Sequence, residues 1–202
     1  MVRWEPDSRG RLEQAAMDLY GERGFENTTV AEIAERAGVT ERTFFRHFAD
    51  KREVLFGGSD ALEGRMVTAV ATAPVSAFPI EAVAAGLDAL VAVVGERRDF
   101  SRRRRAIIAA NAELQERELI KLASLGSAMA AVLRDRGVAE PTASLAAEAG
   151  MAAFRVAWER WNAPSGDAGR GGESGEAGAP NLSQLIRESL HDLSAVAGSA
   201  GP

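Results

Sequence analysis

The feature that most restricts this chain is the stretch TVAEIAERAGVTERTFFRHF, residues 29–48. Thr29 and Glu32 have the spacing of a capping box, in which the threonine hydroxyl accepts a backbone N–H while the glutamate accepts from the threonine's own N–H. Val30, Ile33, Ala34 and Ala37 follow at helical spacing. Gly38 tolerates the left-handed backbone of a sharp reversal, and Thr40 is placed to cap a second helix. In that helix Phe44 and Phe48, four apart, share one face, while Arg42, Phe45 and Arg46 point elsewhere. One face is predicted to be buried, and the other needs a partner.

Ala34, Gly38 and Phe44 stand at the spacing of a helix-turn-helix: a small residue where two helices touch, a glycine in the turn and an apolar anchor in the second helix. Spacing alone also allows a purely structural corner. Charge favours an interface. The whole chain carries a net −5, which argues against a generally basic coat, yet residues 36–52 hold five cations (Arg36, Arg42, Arg46, Lys51, Arg52) against Glu41 and Asp50, a local +3. Contact with nucleic acid has to be concentrated there. The outward face of the second helix offers Thr40 at its head, then Arg42, Thr43, Phe45, Arg46 and His47. Such a helix fits the major groove, where arginine reads guanine edges and a ring or threonine methyl meets thymine.

The rest of the chain reads as helix, giving an all-α fold class. Residues 9–22 carry Leu12, Ala16 and Leu19 on one face and stop at Gly24. Asp50 and Glu53 form a second capping box. Further helices are predicted over 50–71, 79–96, 100–110, 112–136, 141–163 and 182–197, with breaks near Pro74 and Pro79, Gly137 and Pro141. Between the last two, residues 163–181 hold six glycines and two prolines, a composition that reads as a flexible loop. The division is drawn as 1–52, a three-helix DNA-binding domain, and 53–202, a larger helical domain.

Over residues 15–55, AAMDLYGERGFENTTVAEIAERAGVTERTFFRHFADKREVL, the chain resembles the DNA-binding domain of the TetR family of bacterial transcriptional regulators. The GF after the first helix, TTVAEIAERAGV and the F-F-R-H-F-x-x-K that follows stand in register with that family. The resemblance implies a homodimer with a ligand-binding C-terminal domain, and the last two long helices of each subunit packed as a four-helix bundle. It puts phosphate contacts on Thr28 or Thr29, on His47 and on Lys51, and base-reading positions on Arg42, Thr43 and Arg46. Phe45 stands where the family usually has tyrosine, so a hydroxyl that would bond a phosphate is missing: either Phe45 packs against sugar and thymine methyl, or that contact moves to Arg46 or His47.

The remaining polar clusters offer little chemistry. Consecutive helical residues are about 100° apart, so Arg102 to Arg105 cannot share one face; they read as a solvated surface, with an anionic ligand at a pocket mouth as the alternative. Glu113, Gln115, Glu116 and Glu118, amid Arg117 and Lys121, read as another solvated face. The chain has no cysteine and two histidines, His47 and His191, and neither a Ser/His/Asp set nor a metal-spaced cluster can be assembled. No metal or cofactor is expected. Met151, Phe154, Trp158 and Trp161 form a helical stripe that suits a core, a dimer interface or a pocket wall. Leu182, Leu185, Ile186, Leu190 and Leu193 form a second stripe; with Trp158 they are predicted to lie at the interface with a second copy.

These readings converge on a one-component regulator: a ligand-released repressor on a pseudo-palindromic double-stranded DNA operator, acting as a homodimer and answering a small apolar or amphipathic effector. The N-terminus lacks the apolar run of a signal peptide and the most apolar stretch, 80–95, is interrupted by Glu81 and Asp88, so a cytoplasmic protein without membrane contact is expected. The rival reading is a helical enzyme or small-molecule carrier whose N-terminal helices are structural.

Overall fold

The computed structural model describes residues 7–94, 97–163 and 181–198. Among these residues the regular structure is entirely helical: α1 (Ser8–Arg23), α2 (Val30–Arg36), α3 (Glu41–His47), α4 (Glu53–Phe56), α5 (Ser59–Thr72), α6 (Pro79–Val94), α7 (Arg98–Ala109), α8 (Ala112–Asp135), α9 (Glu140–Asn162) and α10 (Leu182–Gly198). Two compact units form, the described residues of Met1–Asp60 with Asp99–Ile120, and those of Ala61–Arg98 with Lys121–Pro202.

In the first unit the amphipathic pattern becomes a closed core. Leu12, Ala16 and Leu19 of α1 are buried, as their spacing predicts, against Ile33, Phe44 and Phe48. The capping box of α2 forms with both of its bonds. Gly38 takes φ +67°, and the turn is closed by Val39 N–H donating to the Ala34 carbonyl at 2.9 Å. Thr40 caps α3 by accepting from Thr43 N–H at 3.2 Å.

The helix predicted over 50–71 is two helices. Val54, Leu55 and Phe56 are all buried, and the chain breaks at Gly57 and Gly58, with Gly58 at φ +87°. Three consecutive buried residues cover nearly the whole circumference of a helix, so α4 is enclosed by its unit and cannot simply run on as a surface helix. The sequence draws its boundary at 52/53, whereas α4 and the distant Ile107, Ile108 and Leu114 share one apolar cluster with α1–α3.

The second unit is built on smaller residues. Leu87 and Val83 of α6, Ala147, Met151 and Phe154 of α9 and Met129 and Leu133 of α8 form its core. A Cβ added at Gly86 would lie 2.6 Å from Val70 Cγ2, so α5 and α6 approach at glycine distance. Arg136 closes the C-terminal end of α5, its guanidinium donating to the carbonyls of Val70, Ala71, Ala73 and Pro74 at 2.8–3.1 Å. The helix α10 packs on α9 and α6. The glycine-rich stretch lies, over 164–180, outside the described residues.

That packing corrects one expectation. Leu182, Leu185 and Ile186 are fully enclosed by their own chain and are not available to a second copy. Trp158 and Leu190 are half-buried at the edge of the same cluster, and Leu193 is half-buried too.

Candidate nucleic-acid interface

The short helix α3 is held by one side and free on the other. Phe44 is wholly buried and Phe48 nearly so, their rings 5.5 Å apart. On the far side Arg42, Phe45 and Arg46 are exposed. At positions i, i+3 and i+4 they make one continuous patch, with Thr43 half-buried beside it and Thr40 exposed at the head of the helix. The Thr40 and Thr43 hydroxyls are 3.1 Å apart, one more bond that stiffens the first turn.

The local +3 proves to be unevenly distributed. Arg36 is bidentate to Glu22 at 3.0 and 3.1 Å. Arg52 pairs with Asp50 at 2.6 Å and with Glu113. Burial raises the Asp50 carboxyl, but the Arg52 guanidinium and the N–H groups of Glu53 and Arg52 outweigh it and hold Asp50 below its ordinary range. Among the described residues, Arg42 and Arg46 are the cations of this segment that make no hydrogen bond or ion pair. The free positive charge therefore sits on the outward face of α3.

The three phosphate-contact positions fare differently. Thr28 is 1% exposed and donates its hydroxyl to the Gly24 carbonyl at 2.9 Å, so it is a buried turn residue and not a surface donor. Thr29 is exposed at the head of α2, but its hydroxyl and its N–H both donate to Glu32 Oε2 at 2.9 Å. Those two bonds, aided by Arg23, hold the Glu32 carboxyl below its usual range, and the charge beside Thr29 is negative. The Lys51 ammonium donates to the carbonyls of Phe25, Thr28 and Glu26 at 2.9, 3.0 and 3.3 Å and lies 4.4 Å from the Phe25 ring centroid. All three of its protons are engaged inside the unit. Tyr20 completes this lock by donating its hydroxyl to the Lys51 carbonyl at 2.6 Å; burial pushes the phenol up and keeps it a donor. His47 is half-buried with Nε2 2.8 Å from Ser8 Oγ, which ties the end of α3 to the start of α1.

The arginine run is also not the bare surface its sequence suggests. Arg103 pairs with Asp18 of α1 at 2.6 Å. Arg104 donates to the Leu55 carbonyl at 2.7 Å and to Glu118 at 2.8 Å, with its guanidinium 5.0 Å from the Phe56 ring centroid. Arg117 pairs with Glu53 at 2.6 Å. These residues fasten 99–120 to α1 and α4. The sequence signal was present as matched arginines and carboxylates, but nothing in their local spacing names partners up to 85 positions away.

Among the described residues no group of three or more histidines, aspartates or glutamates could hold a metal ion, and no helix is long and apolar enough to cross a membrane. In the second unit a shallow open groove of about 170 Å³ runs between α8 and α9, lined by Gly126, Ser127, Arg134, Ser144 and Glu148 among others. Its walls are too polar and it is too open for a small apolar effector.

A reversed helix pair with a capped, outward, cationic second helix defines a helix-turn-helix protein. Residues 13–56 match the profile of the bacterial regulatory proteins of the tetR family, so the helix-turn-helix segment of this chain is similar to that family's. It is 38% identical over 92 residues to the HTH-type transcriptional regulator TcmR of Streptomyces glaucescens, a match covering 46% of this chain and 39% of that one. The chain thus spans well under half the length of TcmR, and 24% of that of a second relative, the repressor KstR2 of Mycobacterium tuberculosis. Among solved structures, FadR of Thermus thermophilus, a TetR family repressor crystallised with lauroyl-CoA, is similar at TM-score 0.54 and 22% identity, covering 92% of this chain and 93% of that one. A TetR-family regulator from Syntrophomonas wolfei is similar at TM-score 0.63 and 15% identity, covering 94% of each. At those identities the likeness is one of fold: an N-terminal helix-turn-helix followed by a larger helical domain.

Proposed function

We propose that the chain is a one-component transcriptional regulator that represses by binding a pseudo-palindromic DNA operator as a homodimer and leaves it when a small apolar or amphipathic molecule binds. The observation that carries this is the patch of Arg42, Phe45 and Arg46. It pairs two unengaged guanidinium groups with an exposed ring, on a helix anchored by Phe44. In the proposed complex Arg42, Thr43 and Arg46 read base edges, while Thr40 and His47, at the two ends of α3, meet phosphates. The first unit carries recognition and the second carries dimerisation and effector binding, in the cytoplasm where the DNA lies. No catalytic chemistry is required of it.

Dimerisation is assigned to the outward surfaces of α9 and α10, where Trp158, Leu190 and Leu193 remain partly open and Leu145, Val156 and Val196 are exposed. The effector class rests on the fold's larger helical domain and on the lauroyl-CoA bound by the similar FadR. Only a molecule with higher affinity for the DNA-incompetent state can release the repressor. The test is selection of bound duplexes from a random library by the full chain, repeated with Arg42, Thr43 and Arg46 all changed to Ala. Enrichment of a two-fold symmetric site by the wild type and its loss in the triple variant is the expected result; equal enrichment by both would remove the site.

A further inference from the structure

Phe45 is 55% exposed, and single exposed rings are ordinary on protein surfaces. Its surroundings are less ordinary. The ring stands edge-on to Phe44, centroids 5.4 Å apart and planes at 82°, and Phe44 already fills the interior beneath α3. Phe45 therefore has no inward site to turn to. Arg42 and Arg46, without partners among the described residues, flank it on the same helix face.

A phenyl ring has no atom that can bond a phosphate or a base edge. Placed against a polar wall it leaves that wall's groups unsatisfied, at a net cost. The floor of the major groove presents donors and acceptors at every base pair and one apolar group, the C5-methyl of thymine. The arginines beside the ring are suited to guanine O6 and N7. We propose that Phe45 is a specificity-determining residue that reads a thymine through its C5-methyl, next to the guanine contacted by Arg42 or Arg46. This rests on the DNA-binding reading of α3 and deepens it: each half-site carries a guanine beside a thymine, and the methyl, not the thymine carbonyls, is what the ring recognises.

The test uses the full chain and a duplex it has itself selected, with deoxyuridine replacing each thymine in turn, a change that removes only the methyl. Wild type is expected to lose affinity at one thymine per half-site, about fourfold for each, the factor for one buried methyl-sized group. Phe45→Ala is expected to bind more weakly and to be indifferent to that replacement. A selected operator whose affinity no deoxyuridine changes would overturn the assignment and leave the ring against the sugar. Deoxyuridine sensitivity retained by Phe45→Ala would overturn it in favour of another methyl reader such as Thr43. Failure to select any duplex would overturn the regulator reading itself, a result distinct from the other two. The wild-type arm does not depend on how the variant folds.

Discussion

The helices α3 and α10 look alike in sequence: each is amphipathic, each was predicted to turn a face to something outside its own chain, and their fates differ. In α3 the apolar positions Phe44 and Phe48 go inward, and the positions left outside carry charge that the chain does not neutralise. In α10 the apolar positions Leu182, Leu185 and Ile186 go inward too, against α9 and α6 of the same chain. Two of its three charged positions find partners at home, Arg187 with Asp88 at 3.4 Å and Glu188 with Arg160 at 3.1 Å, leaving Asp192 exposed. An apolar stripe says that a face will be covered without saying by which copy. A partner is signalled better by what stays unsatisfied on the opposite face.

The most severe test of that contrast is Leu185→Asp with Leu190→Asp. Leu185 is enclosed by its own chain, so a carboxylate there is buried without a partner, and at least about 4 kcal/mol of stability is expected to go. Circular dichroism and sedimentation should show unfolded or aggregated chains. Folded monomers would mean that α10 docks on a second copy after all. Leu193→Asp alone, at a half-buried position, is expected to leave the helix content intact and to weaken only the proposed dimer.

Next in size is the pair Phe44 and Phe45, neighbours with opposite exposures. Phe44→Ala is expected to cost about 3–5 kcal/mol in denaturant unfolding, whereas Phe45→Ala should move it by less than about 0.5 kcal/mol. The reverse order would place α3 about 100° from its observed rotation.

Much of this was legible in the sequence. The first capping box, the glycine turn and the α3 cap are local, and they appear where their residues stand: Thr29 with Glu32, Gly38, Thr40; the second box forms only by half, Glu53 N–H donating to Asp50 while the Glu53 carboxylate goes to Arg117. The spacing of Phe44 and Phe48 fixed which side of α3 is buried. What stayed hidden depends on long-range pairing. That Ile107, Ile108 and Leu114 join the core of α1–α4 follows from contacts between segments more than fifty residues apart. Nor could the local +3 be divided between engaged and free cations, because Arg36 finds Glu22 and Arg52 finds Glu113 only after folding. The breadth of α10's apolar stripe likewise could not reveal that α9 and α6 would cover it.

Arg42→Ala sharpens the division of charge. If Arg42 makes a bidentate contact with guanine, its loss is expected to cost about 1–3 kcal/mol of operator affinity and to relax preference at one symmetric base pair, with thermal stability unchanged. A binding titration against the selected operator and its single-base variants decides it. Loss of stability together with affinity would show that the guanidinium is engaged inside the chain.

The smallest expected effect is the one on which sequence and structure disagree most, at Lys51. By position it is a phosphate contact, and removing it should then lower the dependence of log affinity on log salt by about 0.9, one released counterion. In the structure its ammonium already donates to three carbonyls around the α1–α2 turn, and a cation so engaged gives up those bonds to reach DNA. Lys51→Met keeps most of the stem and removes the donors. It is expected to lower folding stability by about 1 kcal/mol, in the range of a net intramolecular hydrogen bond, and to leave the salt slope unchanged. Arg46→Ala, with no such bonds to lose, should do the opposite where it meets a phosphate or a base: stability held, affinity reduced. If Lys51→Met instead flattens the salt dependence at constant stability, the three carbonyl bonds are exchanged for phosphate on binding, and inward-pointing cations in this unit must be counted with the outward ones.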